Sequence, residues 1–350
     1  MSESRVVVIT GASAGVGRAV AHRFARAGWR IGLIARDAAA LEEVKREVSE
    51  LGGSAVAAAA DVADSQAVFR SADAIANALG SIDVWINDAM VTMFAPVWQM
   101  TPEEFRRITE VTYLGQVHGT MAALRHMRPG NRGQIIQIGS ALAYRGIPLQ
   151  SAYCGAKHAI RGFTDAVRTE LLHEGSAIQL TIMELPAVNT PQFDWARTRM
   201  ARQPRPVAPV FQPEAIAQAV FDATRRPSRE VWIGLSTLKV ILGNMLLPAF
   251  LDRYLARIAF TGQETAQPVL PDRSDNLLTP VHSLHRTRGR FGHEASEHAL
   301  TVAGPLARIA PVVVGGFCMF AAGALAAASV RRPQSVRHSI RRLRRRGNSH

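Results

Sequence analysis

Between residues 5 and 184 short apolar runs alternate with longer stretches in which apolar positions recur every three or four residues. The runs VVVIT (6–10), IGLIA (31–35), SAVAAAA (54–60), IDVWIN (82–87), QIIQIGS (134–140) and IQLTIME (178–184) read as strands. The stretches 15–27, 38–51, 65–79 and 151–174 read as helices, and another long helix opens at Thr101. There Pro102 takes the first helical position and Glu104 follows three residues after Thr101, the pattern of a capping box. Strands separated by helices imply right-handed βαβ units and a parallel sheet. The strands are nearly all apolar rather than alternating, as expected where helices cover both sheet faces. The fold class is therefore α/β, a doubly wound parallel sheet. A helix over 213–225 and a strand over 229–234 extend it.

Beyond that strand the pattern changes twice. Residues 235–260 are apolar and read as helical. Residues 263–298 carry Pro268, Pro271 and Pro280 among Asp, Arg and His, with little periodicity, and read as a linker. The expected organisation is a catalytic domain over 1–262, a linker over 263–300, an apolar helical appendage over 301–330 and an unstructured basic tail over 331–350. The net charge of +13 is uneven: eight arginines and no acid occupy the last twenty residues, leaving a net charge of only +5 for everything before. Two cysteines, Cys154 and Cys318, offer no disulfide framework and fit a reducing compartment. An apolar strand starts at residue 5 with no signal-peptide pattern before it, so the catalytic region is expected to be cytoplasmic.

The first strand runs into Thr10-Gly11-Ala12-Ser13-Ala14-Gly15-Val16-Gly17, and this loop opens the first helix. Gly11 and Gly15 permit a tight turn and close backbone approach, and Gly17 lets the helix pack on the sheet. A helix N-terminus reached this way offers N–H groups from Ser13, Ala14, Gly15 and Val16 to a pyrophosphate, as in Rossmann-like dinucleotide folds. The second strand ends at Ala35-Arg36-Asp37. An acid there would bind the ribose hydroxyls of NAD, whereas Arg36 suits a 2′-phosphate, so NADP(H) is favoured over NAD(H). Asp37 could orient Arg36.

A second cluster carries candidate chemistry. Tyr153 and Lys157 are four apart on a helix and share a face, and Ser140 ends the preceding strand at the sheet edge where such folds bind ligands. Reducing a carbonyl needs a proton donor for oxygen and a hydride donor for carbon. A free phenol, with a pKa of ~10, is a poor acid–base group at neutral pH, and a nearby ammonium is expected to lower that value.

With these residues in place the chain resembles the short-chain dehydrogenase/reductase family over about residues 5–235. The family's TGxxxGxG loop matches 10–17, its Asp-Val pair on adenine matches Asp61-Val62, and its serine thirteen residues before YxxxK matches Ser140, Tyr153 and Lys157. Its Pro-Gly-x-Val-x-Thr stretch resembles Pro186-Ala187-Val188-Asn189-Thr190. The resemblance implies a catalytic serine, tyrosine and lysine, with the lysine also holding the nicotinamide ribose. It further implies cofactor contacts at Asn87, Ala89, Pro186, Val188 and Thr190, and a homo-oligomer. Three departures stand out. Asn87-Asp88-Ala89-Met90 replaces Asn-Asn-Ala-Gly, which puts Met90 near the nicotinamide pocket. Thr112 stands where the family often has an asparagine of a proton relay, and Ala187 replaces a glycine. Thr112 is therefore the expected fourth catalytic residue.

Other candidates carry less. His118, His126 and His158 lack metal-ligand spacing, so no metal is expected. Met90, Met93, Trp98 and Met100 could line an apolar pocket or be ordinary packing. Residues 309–330 are 22 residues without a charge, as a helix ~33 Å long, and the arginines follow. A single span would put those arginines outside, against the positive-inside rule. Membrane contact through 309–346 at the inner face is one reading, with a hairpin against 235–251 or an oligomer-forming helix as others. No recognition fold accompanies the arginines, so no specific nucleic acid is expected. The expected function is NADP(H)-dependent interconversion of a carbonyl and an alcohol on an apolar small molecule. The alternative is a dinucleotide-binding scaffold or redox sensor at a membrane with little or no turnover.

Overall fold

In the computed structural model, which describes residues 4–304, eight strands form one sheet. In chain order they are β1 (Val6–Thr10), β2 (Arg30–Ala35), β3 (Ser54–Ala59), β4 (Val84–Asn87), β5 (Gln134–Ile138), β6 (Gln179–Glu184), β7 (Glu230–Ile233) and β8 (Thr301–Ala303). Their spatial order is β8-β7-β6-β5-β4-β1-β2-β3. All pairings are parallel except β8 with β7, where Val302 opposes Trp232. The order turns back beside β1, between β2 and β4, which is the switch point where open α/β sheets bind ligands.

Helices cover both faces, as the all-apolar strands require. One core packs α1 (Gly15–Ala25), α2 (Ala38–Glu50) and α7 (Pro213–Arg225) on the sheet. There Phe24 meets Trp29 and Phe221 edge to face, at 4.9 and 5.1 Å between ring centroids. The other core lies under α3 (Ser65–Leu79), α4 (Pro102–Thr109), α5 (Gly115–Met127) and α6 (Ser151–His173). The helix starts follow from capping: Asp37 accepts from Ala40 N–H, Asp64 from Gln66 and Ala67, and Thr101 and Glu104 form the expected box. The long helix opening at Thr101 is interrupted by a π-turn over Glu110–Leu114, which carries Thr112. The apolar stretch 235–260 is two helices, α8 (Leu235–Leu246) and α9 (Pro248–Ile258), because Pro248 has no N–H to continue the first.

The expected linker over 263–300 is instead a folded strap. Glu264–Pro268 pairs antiparallel with Arg202–Pro204, and Ala295–Ser296 pairs with Val210–Phe211, which also pairs with Ala187–Val188. Residues 301–303, expected to begin an apolar helix, form the edge strand β8. The strap's charges meet opposite charges on the body: Asp275 with Arg197, Glu294 with Arg205, and Arg288 with Glu214. Two apolar side chains, Leu277 and Phe291, are buried. Leu277→Ala is therefore expected to cost about 2–5 kcal/mol in denaturant unfolding, where a linker residue would change stability by about 0.5 kcal/mol or less.

No helix among the described residues is long and apolar enough to cross a membrane. Residues 309–330, Cys318 and the arginine-rich tail lie outside the described residues.

Candidate functional site

The carboxyl ends of β1 to β6 open into one cavity of about 420 Å³. Its two ends differ in chemistry. One is walled by the β1–α1 loop, Arg36, Asp61 and Val62; the other by Ser140, Tyr153, Lys157 and apolar side chains.

The loop end depends on its glycines. Gly11 has φ +74°, and a Cβ there would lie 2.8 Å from the Ala89 Cα. A Cβ on Gly17 would lie 2.3 Å from the Gly11 carbonyl oxygen, so α1 could not close on the loop. Thr10 Oγ1 accepts from the N–H groups of Asp88 and Ala89 at 3.1 and 3.2 Å, which fixes the neighbouring wall. Ser13, Ala14, Gly15 and Val16 line the cavity, as do Pro186, Val188 and Thr190. Gly17 does not; its N–H donates to the Asp88 carboxylate. Asp61 lines the cavity and pairs with Arg107. Arg36 also faces it, with its guanidinium on the carbonyl oxygens of Asn276 and Leu278 at 2.6 and 3.1 Å. Asp37 does not orient Arg36. It caps α2 and pairs with His282 at 2.7 Å and His285 at 3.2 Å. A glycine cradle, an arginine at the end of β2 and an Asp-Val wall fit a dinucleotide.

At the other end α6 presents Tyr153 and Lys157, with the ammonium 5.6 Å from the tyrosine ring centroid. Lys157 is buried and donates to the Ile138 carbonyl at 2.6 Å. Ser140 follows β5, and its Oγ accepts from Leu142 N–H at 3.1 Å to cap a short turn over Ala141–Ala143. The Ser140 side chain also hydrogen-bonds Tyr153.

Burial dominates the electrostatics here. Burial pushes the Tyr153 phenol above its usual value, and Asp88 and Glu184 add to the rise while Ser140 opposes it. Burial likewise lowers Lys157, with Asp88 and Glu184 pulling it back up. Burial is the largest effect on the phenol, so Tyr153 is a neutral acid rather than a phenolate at neutral pH.

Two further predicted residues are placed elsewhere. Thr112 is buried, and its hydroxyl donates to the Val91 carbonyl at 2.8 Å and accepts from the Val91 N–H at 3.1 Å. Its one proton is committed, so it braces the segment after β4 rather than serving a relay. The Asn87 side chain is fully buried and bonds to Trp85, Gln137, Thr120 and the Gln116 carbonyl. It cross-links the sheet to α5 and does not line the cavity.

The structure adds groups that the motifs do not name. Glu184 is fully buried at the end of β6 and accepts from the Ser140 N–H at 2.7 Å. Burial and the Glu230 carboxylate on β7 push it up to about 8, so at neutral pH it is mostly a carboxylic acid. A Cβ on Gly139 would lie 2.5 Å from its Oε2, which is why a glycine precedes Ser140. Asp88 lines the cavity with its pKa raised by burial, and the charge of Lys157 pulls it back down. The signal for Asp88 was the acid in Asn-Asp-Ala-Met; Glu184 read only as the end of an apolar strand. Met90 lines the cavity, Met93 is core, and Trp98 is 78% exposed. The Cys154 thiol is buried and pushed up to about 11, an inert state. Among the described residues no group of His, Cys, Asp or Glu is arranged to hold a metal.

Known proteins resemble the chain in sequence and fold. A family model described as short chain dehydrogenase matches residues 5–200. The oxidoreductase YxnA of Bacillus subtilis is 30% identical over 322 residues, covering 91% of this chain and 90% of its own. The putative oxidoreductase SadH of Mycobacterium tuberculosis is 29% identical, covering 73% of this chain and 95% of its own. Among solved structures, an alcohol dehydrogenase of the archaeon Thermococcus sibiricus complexed with 5-hydroxy-NADP superposes with a TM-score of 0.57 at 26% identity, covering 66% of this chain and 96% of its own. A metagenomic short-chain oxidoreductase in complex with NADP gives a TM-score of 0.55 at 27% identity, covering 66% and 97%. The chain belongs to the short-chain dehydrogenase family and is an oxidoreductase of that family.

Proposed function

We propose that the protein is an NADP(H)-dependent oxidoreductase that interconverts a carbonyl and an alcohol on an apolar small molecule. The observation that carries this reading is the convergence of Ser140, Tyr153 and Lys157 on one end of a cavity whose other end is a phosphate loop with Arg36. Relatives solved with NADP or a modified NADP support the choice of cofactor. A bound nicotinamide dinucleotide would supply the hydride. Tyr153 Oη donates its proton to the carbonyl oxygen, and Ser140 orients that oxygen beside it. Lys157 stabilises the phenolate left on Tyr153 and is held for that role by the Ile138 carbonyl. Glu184 holds the backbone of Ser140 and so acts as a positioning residue.

Met90, Val91, Leu142, Ile147, Val207 and Leu255 make the substrate end apolar. Such a pocket orients its ligand through a few polar groups and selects it by shape. With a panel of aliphatic and aromatic ketones and aldehydes, NADPH oxidation is expected to be fastest for apolar substrates and slower with NADH. Oxidation with no member of the panel, despite tight NADPH binding, would favour the scaffold reading instead.

A further inference from the structure

The strap over residues 264–303 crosses the dinucleotide end of the cavity. Leu277 sits in the core beside Val62, and the Arg107 guanidinium holds its carbonyl at 3.1 Å. Further on, Arg18 holds the His285 carbonyl at 2.5 Å, and the Gly15 N–H donates to the Arg286 carbonyl at 3.0 Å. The strap is therefore tied to the Asp61 wall, to Arg36 and to the phosphate loop, the three places a dinucleotide's adenosine half must touch.

Two cationic or potentially cationic groups face the cavity at this point. Arg36 is half-buried, and its hydrogen bonds go to neutral carbonyl oxygens. Burial depresses its pKa, and neighbouring Arg107 depresses it further against the pull of Asp61. His285 has a side chain only 10% exposed, lines the cavity, and packs on Trp195 at 5.5 Å between ring centroids. Neither ring nitrogen of His285 makes a hydrogen bond, although Nε2 lies 3.2 Å from the Asp37 carboxylate. A buried imidazole with Nε2 facing the Asp37 carboxylate and Nδ1 unspent, fixed through its own carbonyl and its ring face, has one nitrogen left for an anion or a polar ligand group.

We propose that His285, carried in by the strap, joins Arg36 in binding the adenosine 2′-phosphate, so that preference for the phosphorylated dinucleotide is set by a residue outside the family's motifs. Asp37, held by the N-terminus of α2 and by His282, sits at Nε2 of the imidazole, so Nδ1 is the nitrogen left for the phosphate. The phosphate would replace the strap carbonyls on the Arg36 guanidinium with a charged acceptor, a stronger partner for a half-buried cation. This inference rests on the NADP reading above.

The test is equilibrium binding of NADPH, NADH and 2′,5′-ADP, read by quenching of tryptophan fluorescence, in the full chain and in His285→Ala, His285→Gln and Arg36→Ala. His285→Ala is expected to weaken NADPH and 2′,5′-ADP by about tenfold or more and to leave NADH within about twofold, with His285→Gln intermediate because it keeps a donor. Arg36→Ala should show the same selectivity. Equal weakening of NADPH and NADH would mean that His285 only supports the fold, and no change in either would mean that it lies off the site; both overturn the inference and leave the NADP reading intact. If His285→Ala unfolds, His285→Gln decides by the same ratio. A wild-type chain that binds NADH as tightly as NADPH overturns the cofactor reading and this inference together.

Discussion

Tyr153→Phe is expected to lower kcat/KM for carbonyl reduction by about a thousandfold while NADPH binding and thermal stability stay unchanged. The substitution keeps the ring that packs against the core under α3 to α6 and removes one oxygen. That oxygen is the proton donor, and a loss of this size corresponds to about 4 kcal/mol of transition-state stabilisation. Ser140 and Lys157 remain in place, since Lys157 is held by the Ile138 carbonyl and Ser140 by Leu142 and Glu184. The variant therefore separates chemistry from assembly. Steady-state kinetics beside fluorescence titration of NADPH checks both halves, and turnover at the wild-type rate would remove Tyr153 from the mechanism.

Acid is expected to destabilise the protein between about pH 4.5 and 2 largely through one carboxylate. Glu104 has a side chain 7% exposed, accepts from the Thr101 N–H at 2.9 Å, and pairs with Arg197 and Arg199 at 3.1 and 2.7 Å. Burial alone would raise its pKa, but the two guanidiniums and the backbone donor lower it from 4.5 to about 2. A carboxyl whose value is depressed in the folded state contributes stability above its unfolded pKa and loses that contribution as pH falls through the folded one. A shift of that size corresponds to about 3 kcal/mol, and the low exposure leaves little solvent screening to discount. Glu104→Gln keeps the shape and removes the titration. Urea unfolding at pH 6 and pH 3 should show the gap between wild type and variant narrowing by about 2 kcal/mol at the lower pH, because at pH 3 the folded carboxyl is still mostly ionised. A gap independent of pH would show that the Arg197 and Arg199 contacts carry no such energy.

Local pattern made the doubly wound sheet and its cofactor loop legible. Apolar runs locate β1 to β7, and Gly11 and Gly17 need no neighbour in the sequence to announce a tight loop. The order of Ser140, Tyr153 and Lys157 also survives, because a strand end and one helix face set it. What sequence could not show depends on partners distant along the chain. The strap reads as a linker because its order comes from Leu277, Phe291 and ion pairs to residues some eighty positions away. Asn87 and Thr112 stand at motif positions, but only the fold reveals that Gln137 and Val91 use their polar atoms. The protonation state of Tyr153 is hidden from sequence for a related reason: spacing gives proximity of charge, whereas burial, which dominates both Tyr153 and Lys157, belongs to the assembled molecule.

The central claim, hydride transfer to a carbonyl carbon with the proton delivered from Tyr153, is tested most directly by label transfer. NADPH deuterated at the transferring position of the nicotinamide is incubated with an apolar ketone that the panel identifies, and the alcohol is examined by mass spectrometry. One deuterium on the carbinol carbon for each NADPH oxidised is the predicted result, and the rate should collapse in Tyr153→Phe. Cofactor oxidation that leaves the carbinol carbon unlabelled would contradict the account.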